Sequence, residues 1–229
     1  MIAYIPARGG SKRIPRKNIR EIDGIPIIGH VIRNLAGLPF IDHICVSTDD
    51  REIADIAMQY GASIQELRKA ELSDDYTGFQ ELIQYDVARY LPLSDEKDRF
   101  LFVLATAMLV SPAIFQQAYS EYIASAADVL MSVETFDPHP YRSLEVDSRG
   151  RIHPVYPDKI KMRTQDMAPM FVDAGCFYFL SRDAVLKNSG IWGCDIVPMI
   201  LDKSVGIDID TPGDWARLEE AYQALKKQK

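Results

Sequence analysis

Two hydrophobic patterns alternate along the chain. Short apolar runs, rich in Ile, Val and Phe, are followed by longer segments in which apolar residues recur every three or four positions. The first pattern is typical of buried strands and the second of amphipathic helices. We predict strands at 2–6, 42–48, 62–67, 99–106, 128–136, 174–180 and 204–209, and helices at 25–38, 50–60, 79–90, 111–125 and from 211 onward.

This alternation favours parallel βαβ units, so we expect an α/β fold with an open, mostly parallel sheet flanked by helices. Three helix starts carry capping signals. Asp50 precedes one helix, Ser111 precedes Pro112 in another, and the segment from Thr211 to Asp214 has the shape of a capping box. We predict a single domain over residues 1–229.

The pattern breaks between residues 137 and 170. This segment contains five prolines and many polar residues, and it is long for a loop of a compact domain. We therefore predict an inserted arm, or small β-insertion, that reaches a partner subunit. We call residues 137–170 the arm.

Composition excludes several classes of protein. The net charge of −7 argues against a nucleic-acid-binding surface, which needs a basic face. The N-terminal apolar run has no basic segment before it and ends at Arg8, and no apolar run approaches about 18 residues, so we expect neither a signal peptide nor a membrane span. Three widely spaced cysteines favour a reducing, cytoplasmic location and exclude a disulfide framework or a cysteine zinc site.

Residues 7–18, called the basic loop, contain five cationic residues among twelve in a chain that is acidic overall. The loop follows the first strand, at the edge where open α/β sheets bind ligands. Gly9 and Gly10 would let backbone N–H groups turn toward an anion. Arg8, Lys12 and Lys17 could neutralise most of the roughly four negative charges of a triphosphate and stabilise departing pyrophosphate. The alternative is a solvated basic loop; the Walker A and G-x-G-x-x-G motifs are both absent.

Near the C-terminus, Asp208 and Asp210 alternate with isoleucines. Residues two apart on a strand share a face, so the two carboxylates are expected to project together. Adjacent carboxylates repel unless a cation or proton lies between them. Such oxygen ligands suit Mg²⁺ that also holds substrate phosphates. In the alternative interpretation Asp210 caps the following turn and Asp208 is simply exposed.

The loop I-P-A-R-G-G-S-K-R-I-P-R-K-N strongly resembles the signature of the acylneuraminate cytidylyltransferases, which make CMP-activated sialic acids and related sugars. The segments I-C-V-S-T-D-D (44–50), E-L-S-D-D-Y-T (71–77) and V-G-I-D-I-D-T-P-G-D (205–214) agree, so the resemblance spans nearly the whole chain. It implies a Rossmann-like fold of the nucleotide-diphospho-sugar transferase type. It also implies a homodimer in which an arm completes the partner's site.

Within that family the chain is most similar to the pseudaminic acid branch, on the segments S-K-R (11–13), P-Y-R-S (140–143), R-T-Q-D (163–166) and D-A-G (173–175). A-T-A-M-L (105–109) replaces the Q-P-T-S-P-L-R run typical of sialic acid enzymes, which argues against N-acetylneuraminic acid as substrate. The chain departs from that branch at two places. Phe171 and Val172 stand where Tyr and His are usual, and Met108 stands where proline or a small residue is commoner. Both departures fall near the expected sugar pocket.

The resemblance implies roles for three sets of residues. Asp208 and Asp210 would bind Mg²⁺, and Arg8, Lys12 and Lys17 would act in catalysis. Arg142, Arg163, Gln165 and Asp173 would bind the sugar, whose carboxylate suits bidentate arginine contacts. The nucleotide-binding set is Ala7, Arg8, Gly9, Gly10, Ser11, Lys12, Lys17, Asn18, Arg68 and Ala105.

The implied function is transfer of CMP from CTP to a nine-carbon acidic sugar, with pseudaminic acid favoured. Two alternatives stay open. The same chemistry could act on legionaminic, N-acetylneuraminic or an eight-carbon keto-deoxy acid, or the chain could be a nucleotide-binding homologue that has lost catalysis. The expected partners are CTP, the sugar and a second copy of the chain, with neither nucleic acid nor membrane.

Overall fold

The computed structural model describes residues 1–73, 77–90, 98–187 and 190–227. In these ranges the chain forms ten strands and six helices. The strands are β1 Ile2–Pro6, β2 Glu21–Ile22, β3 Ile25–Pro26, β4 His43–Ser47, β5 Arg99–Val103, β6 Val129–Thr135, β7 Leu144–Val146, β8 Ile152–Pro154, β9 Phe171–Ser181 and β10 Ile196–Ile200. The helices are α1 Ile27–Leu35, α2 Arg51–Gln59, α3 Phe79–Tyr90, α4 Pro112–Ser125, α5 Arg182–Leu186 and α6 Pro212–Lys227.

Six strands form the central sheet in the order β10-β6-β9-β5-β1-β4. The pairs β1–β4, β1–β5 and β10–β6 are parallel, and β9 runs antiparallel to both neighbours. The predicted open, mostly parallel sheet is therefore confirmed. The order places β1 and β5 side by side in the middle of the sheet, which brings the loops that follow them together.

Both faces of this sheet are covered, which explains why its strands read as near-continuous apolar runs. Ala3 and Ile5 of β1 belong to a core that α1, α2, α4 and α6 cover. Ile2 and Tyr4 point to the other face, where α3 and α5 pack. This alternation is the period of two that any strand imposes on its side chains.

Two predicted strands differ from the structure. Residues 62–67 contribute only one bridge, between Ser63 and Cys45. Residues 204–209, all of them described, form no strand, and the strand of this region is β10, which the sequence pattern missed. Pro198 in the middle of β10 argues against a central strand, but β10 lies at the edge of the sheet, where proline is tolerated.

The three predicted helix caps are confirmed. The Asp50 side chain accepts a hydrogen bond from the Ile53 N–H (3.1 Å), and Ser111 Oγ accepts one from the Ile114 N–H (3.4 Å). Asp214 Oδ2 accepts the Thr211 N–H (2.8 Å), while the Asp214 N–H donates to Thr211 Oγ1 (3.3 Å). This reciprocal pair fixes the start of α6, and with it the chain direction just after Asp210.

The arm contains its own small antiparallel hairpin, in which β7 pairs with β8. Short 3₁₀ turns at Pro140–Arg142 and Thr164–Asp166 flank it. The hairpin lies within the segment predicted as an inserted arm, and the contact of this arm with a partner subunit stays a prediction. Its apolar side chains are unusually exposed, namely Leu144 58%, Val146 68% and Ile152 65%.

Among the described helices, none combines the length and apolar character that crossing a bilayer requires.

Candidate active site

A cavity of about 590 Å³ lies where β1 and β5 end. Pro6 closes β1, residues 104–106 follow β5, and both groups lie on the cavity wall. The carboxyl ends of adjacent parallel strands are where open α/β sheets place their ligands. The wall consists of Pro6, Arg8, Ser11, Lys12, Arg13, Ile14, Lys17, Asn18, Arg68, Leu72, Thr77, Leu82, Leu104, Ala105, Thr106, Asp208 and Asp210.

The basic loop supplies one side of this cavity. Its shape comes from local hydrogen bonds: Asn18 Nδ2 donates to the Arg8 carbonyl (3.0 Å), and the Lys17 N–H donates to the Ile14 carbonyl (3.2 Å). A 3₁₀ turn at Lys17–Ile19 ends the loop. The loop thus folds back on itself, and Arg8, Lys12 and Lys17 reach the same cavity.

Asp49 and Asp50, at the end of β4, hold the basic loop from behind. The sequence predicts that the Gly9 N–H turns toward an anion. In the structure this N–H instead donates to Asp49 Oδ1 (2.9 Å), so it points into the protein. A methyl group on Gly9 would lie only 2.5 Å from Asp50 Oδ2, which explains the glycine. Arg16 donates to both oxygens of Asp50, and this hydrogen bonding lowers the pKa of Asp50 below its ordinary value.

The paired aspartates also line the cavity. Arg13 Nη1 lies 3.0 Å from Asp210 Oδ2, and Lys17 Nζ lies 3.7 Å from Asp210 Oδ1. Lys17 Nζ also donates to the Ile209 carbonyl, between the two acids. The basic loop and the aspartates therefore line one cavity and contact each other there. They do so without the predicted strand, because tertiary contacts rather than strand geometry turn both carboxylates to the same side.

The pKa of Asp208 is raised above its ordinary value by the surroundings of this carboxylate. Partial loss of hydration at the cavity wall is the main cause that raises its pKa, and the negative charge of Asp210 is the second, while Lys17 lowers it. A divalent cation between the carboxylates would counter both effects that raise the pKa. The described part of the chain holds no cluster of three or more potential metal ligands. Two carboxylates nevertheless fit Mg²⁺, which commonly takes one or two from the protein and completes its shell with water and phosphate oxygens.

The remaining wall suits a heterocyclic base. Leu72, Leu82 and Leu104 give it apolar surface, and Arg68 adds a buried guanidinium that is only 7% exposed. Arg68 Nε donates to Ser73 Oγ (3.1 Å), and its backbone N–H donates to the Thr48 carbonyl (2.7 Å), so the side chain is held in place. A fixed arginine beside apolar surface can bind the polar edge of a planar ring.

Most of the predicted nucleotide-binding residues therefore meet at the cavity. Arg8, Ser11, Lys12, Lys17, Asn18, Arg68 and Ala105 line it together with Asp208 and Asp210. Ala7, Gly9 and Gly10 belong to the same loop but lie off the lining. Sequence analysis did not single out Arg13 or Thr106. Both stand beside predicted site residues along the chain, and that adjacency is the signal that could have identified them.

The predicted sugar-binding residues lie off the cavity wall. Arg142 donates to the carbonyls of Ile160 and Met162 and to Thr164 Oγ1, all within the arm. Arg163 is exposed, like Gln165, and pairs with Asp166 (2.8 Å).

The fourth predicted sugar-binding residue, Asp173, accepts hydrogen bonds from the Gly175 N–H (2.9 Å) and the Tyr178 hydroxyl, within β9. The two departures from the pseudaminic acid branch are also off the wall. Met108 is buried in the core, and Val172 pairs with Glu134 in the sheet.

Known cytidylyltransferases are similar to this chain in sequence and in fold. The family model described as cytidylyltransferase matches residues 2–137. The pseudaminic acid cytidylyltransferase of Campylobacter jejuni subsp. jejuni serotype O:2 is 32% identical over 213 residues, covering 93% of this chain and 92% of the relative. The CMP-N,N'-diacetyllegionaminic acid synthase of Legionella pneumophila subsp. pneumophila is 30% identical over 230 residues, covering 97% and 96%.

Solved structures share the fold. A CMP:2-keto-3-deoxy-manno-octonic acid synthetase complexed with CTP superposes with a TM-score of 0.71 at 18% identity, covering 98% of both chains. The 4-diphosphocytidyl-2C-methyl-D-erythritol synthase of Anaerococcus prevotii superposes with a TM-score of 0.64 at 11% identity, covering 97% of this chain and 98% of that one. The chain belongs to the cytidylyltransferase family.

Proposed function

We propose that this chain transfers CMP from CTP to the anomeric hydroxyl of a nine-carbon α-keto acid sugar, with pseudaminic acid favoured, and releases pyrophosphate. The observation that carries the proposal is that the basic loop lines the same cavity as Asp208 and Asp210. Its cations suit a triphosphate, and the paired carboxylates suit the metal ion of that triphosphate. The apolar wall with Arg68 would take the cytosine.

In this proposal the sugar hydroxyl attacks the α-phosphorus of CTP in line. A bond forms between the sugar oxygen and that phosphorus, and the bond to the bridging oxygen of pyrophosphate breaks. Arg8, Lys12 and Lys17 bind the β- and γ-phosphates and stabilise the negative charge that moves onto pyrophosphate. Arg13, 3.0 Å from Asp210, would reorient toward the phosphates once a cation occupies the aspartates.

Asp208 and Asp210 would hold Mg²⁺. When bound there, the ion supplies charge neutralisation at the α-phosphate and lowers the pKa of the attacking hydroxyl. The raised pKa of Asp208 supports this assignment, because its main cause and the repulsion from Asp210 both favour a compensating positive charge. Lys17, which contacts Asp210 and the Ile209 carbonyl, would keep the two carboxylates in place.

The preference for pseudaminic acid rests on relatives. Two Campylobacter jejuni proteins named pseudaminic acid cytidylyltransferase are 32% and 33% identical to this chain over 213 residues. The legionaminic acid synthase is 30% identical, so legionaminic acid is the nearest alternative. Met108 and Val172 lie off the cavity wall, which favours an intact nucleotide site over a catalytically silent homologue.

The direct test is a pyrophosphate-release assay with CTP and Mg²⁺ against a panel of acidic sugars. We expect release with pseudaminic acid, less with legionaminic acid, and least with N-acetylneuraminic and keto-deoxy-octulosonic acid. We expect CTP to exceed UTP, ATP and GTP, because the chain belongs to the cytidylyltransferase family. CTP binding without pyrophosphate release from any sugar would contradict the proposal and favour the silent homologue.

The proposal includes a homodimer in which the arm lies at the interface. The exposed apolar residues of the hairpin support it, since Leu144, Val146 and Ile152 are each more than half exposed and such patches mark interaction surfaces. Arg163 and Gln165 would then bind the sugar carboxylate in the partner's cavity. The location would be cytoplasmic, in keeping with three free cysteine thiols.

Sedimentation of surface variants tests the dimer. Val146→Asp and Ile152→Asp place charge on the hairpin and should shift the chain to monomer. Ile123→Asp is the matched control, because Ile123 is also an exposed apolar residue (42%) but lies on α4, outside the arm. If both hairpin variants remain dimeric, the arm does not lie at the dimer interface.

A further inference from the structure

The pairing of β9 with β6 shifts in register. The start of β9, Phe171 to Asp173, pairs with Thr135 to Val133 of β6, and its later part pairs Tyr178 with Met131. Four residues of β9, at 174–177, therefore lie opposite the single residue Ser132 of β6. We call residues 174–177 the β9 bulge. Bulges of this kind commonly lie next to active sites, where they redirect the chain.

Three devices hold the bulge in one shape. Asp173 Oδ1 accepts the Gly175 N–H (2.9 Å), and Asp173 Oδ2 accepts the Tyr178 hydroxyl. Gly175 has φ +58°, a left-handed conformation that glycine adopts without strain. The buried Ser132 Oγ accepts the Phe177 N–H (3.0 Å), which replaces a missing ladder bond.

The carboxylate of Asp173 ties these parts together. One of its oxygens fixes the left-handed glycine, and the other holds the far end of the bulge through Tyr178. Burial, followed by the hydrogen bond to Asp173, raises the pKa of Tyr178, so its hydroxyl keeps the proton that it donates. Asp173 itself is absent from the cavity wall, and both of its carboxylate oxygens accept hydrogen bonds from residues of β9.

The bulge in turn touches two walls of the cavity. A methyl group on Gly175 would lie 3.4 Å from Cγ of Asp208, so the glycine backbone packs against that side chain. A methyl group on Gly206 would lie 3.3 Å from Cβ of Ala174, so the chain leading to Asp208 rests on the bulge as well. The Cys176 carbonyl accepts the N–H of Leu104 (2.9 Å), a residue of the base wall.

We propose that Asp173 is a positioning residue that holds the β9 bulge against Asp208 and so sets this carboxylate for metal–nucleotide binding. The inference rests on the proposed function, and it replaces direct sugar contact as the role of Asp173. Residues that orient a metal ligand without touching the metal change metal affinity by about 10- to 100-fold when removed.

The test measures Mn²⁺ binding in the presence of CTP and the absence of sugar, by the loss of the free Mn²⁺ signal in electron paramagnetic resonance relative to the same mixture of Mn²⁺ and CTP without protein. Asp173→Ala should weaken Mn²⁺ binding by about 10-fold or more. Asp173→Asn keeps an acceptor for the Gly175 N–H and a polar partner for Tyr178, so it should recover most of the affinity. Tyr178→Phe removes only one of the two bonds and should cause a smaller loss.

Asp147→Ala is the matched control. Asp147 Oδ1 accepts a backbone N–H two residues on, from Arg149 (2.9 Å), as Asp173 does from Gly175, but it lies in the arm hairpin. Its loss should leave Mn²⁺ binding unchanged. The melting temperature of each variant shows whether it is folded. If Asp173→Ala is unstable, Tyr178→Phe still tests the inference, because it removes only one of the two hydrogen bonds of Asp173.

The outcomes separate the two proposals. Native Mn²⁺–CTP binding with a selective loss in Asp173→Ala and recovery in Asp173→Asn supports the inference. Unchanged Mn²⁺ binding in Asp173→Ala, with a raised KM for the sugar in both Asp173 variants, would overturn the inference and return Asp173 to sugar contact while leaving the proposed function intact. Failure of the native chain to bind Mn²⁺ with CTP would overturn both.

Discussion

The cavity and the arm are both rich in cationic residues, but they use them differently. At the cavity, Arg13 and Lys17 reach across to Asp210, and Arg8 and Lys12 line the same space. In the arm, Arg142 donates to carbonyls of the arm itself, and Arg163 pairs with a neighbouring aspartate. Cationic side chains therefore gather around the candidate site in one region, whereas within one copy of the chain those of the arm contact neighbouring groups of the arm.

The largest effect is expected at the acidic side of the cavity. Asp210→Asn removes one carboxylate of the proposed Mg²⁺ pair and should lower kcat by about 100-fold or more, the usual cost of losing one transition-state contact of this type. The melting temperature should change little, because Asp210 is partly exposed. Steady-state pyrophosphate release checks this, with Asp158→Asn on the exposed arm surface as the control. Near-normal turnover with Mg²⁺ would end the metal assignment.

The basic loop should show the next largest effect. Lys17→Met keeps much of the side-chain volume but removes the charge that contacts Asp210 and the Ile209 carbonyl. We expect kcat/KM for CTP to fall by about 10- to 100-fold, because a charged hydrogen bond to phosphate and the support of Asp210 are lost together. Lys159→Met, in the arm, should leave kcat/KM for CTP unchanged. If Lys17→Met and Lys159→Met lower kcat/KM for CTP equally, the cations of the cavity do not act on CTP differently from those of the arm.

Arg142→Ala tests the arm from the opposite direction. The substitution leaves the carbonyls of Ile160 and Met162 without their donor, so residues 160–164 should lose their fixed conformation. We expect a lower melting temperature and a weaker dimer, with KM for CTP within about twofold of the native value. Thermal unfolding and sedimentation give the first two quantities. A raised KM for the sugar with an unchanged dimer would instead place Arg142 at the substrate.

The smallest effect concerns the ion pair behind the basic loop. Asp50→Asn keeps a good N-cap for α2 but removes the charge that pairs with Arg16. The pKa of Asp50 is lowered in the folded chain, so its stabilising contribution is present above the ordinary carboxyl pKa of about 4 and is lost as pH falls through the lower folded value.

The melting temperature of Asp50→Asn should therefore lie below that of the native chain at pH 7, by about 1–3 °C for a domain of this size and a partly exposed pair. The difference should shrink below about pH 4. Asp55→Asn is the control, since Asp55 forms an exposed pair with Arg51 on the same helix. A difference that stays constant from pH 7 to pH 3 would mean that the Arg16 pair does not stabilise the fold.

Sequence reasoning succeeded where the determining contacts are local. The strands and helices of the βαβ units, the three helix caps and the position of the basic loop all follow from residues close together in the chain. The cavity at the end of β1 follows from the same information, because the carboxyl end of the first parallel strand is fixed once the element order is known.

Sequence reasoning was less informative where residues far apart in the chain determine the position or the contacts of a side chain. Gly9 is needed because Asp50, about 40 residues on, lies too close for a side chain, and not to free its N–H for an anion. Asp208 and Asp210 share a side without a strand, because Lys17 and the β9 bulge hold them there. The family resemblance implies that Arg142 binds the sugar carboxylate, whereas in this structure carbonyls about 20 residues away accept its hydrogen bonds; sugar binding by Arg142 stays a prediction.

The most direct test of the account is a crystal structure with CTP and Mg²⁺ bound. The account predicts the triphosphate against Arg8, Lys12 and Lys17, the cytosine near Arg68 and Leu104, and a Mg²⁺ ion held by Asp208 and Asp210. Nucleotide bound in this cavity with the metal held elsewhere, or nucleotide bound outside the cavity, would contradict it.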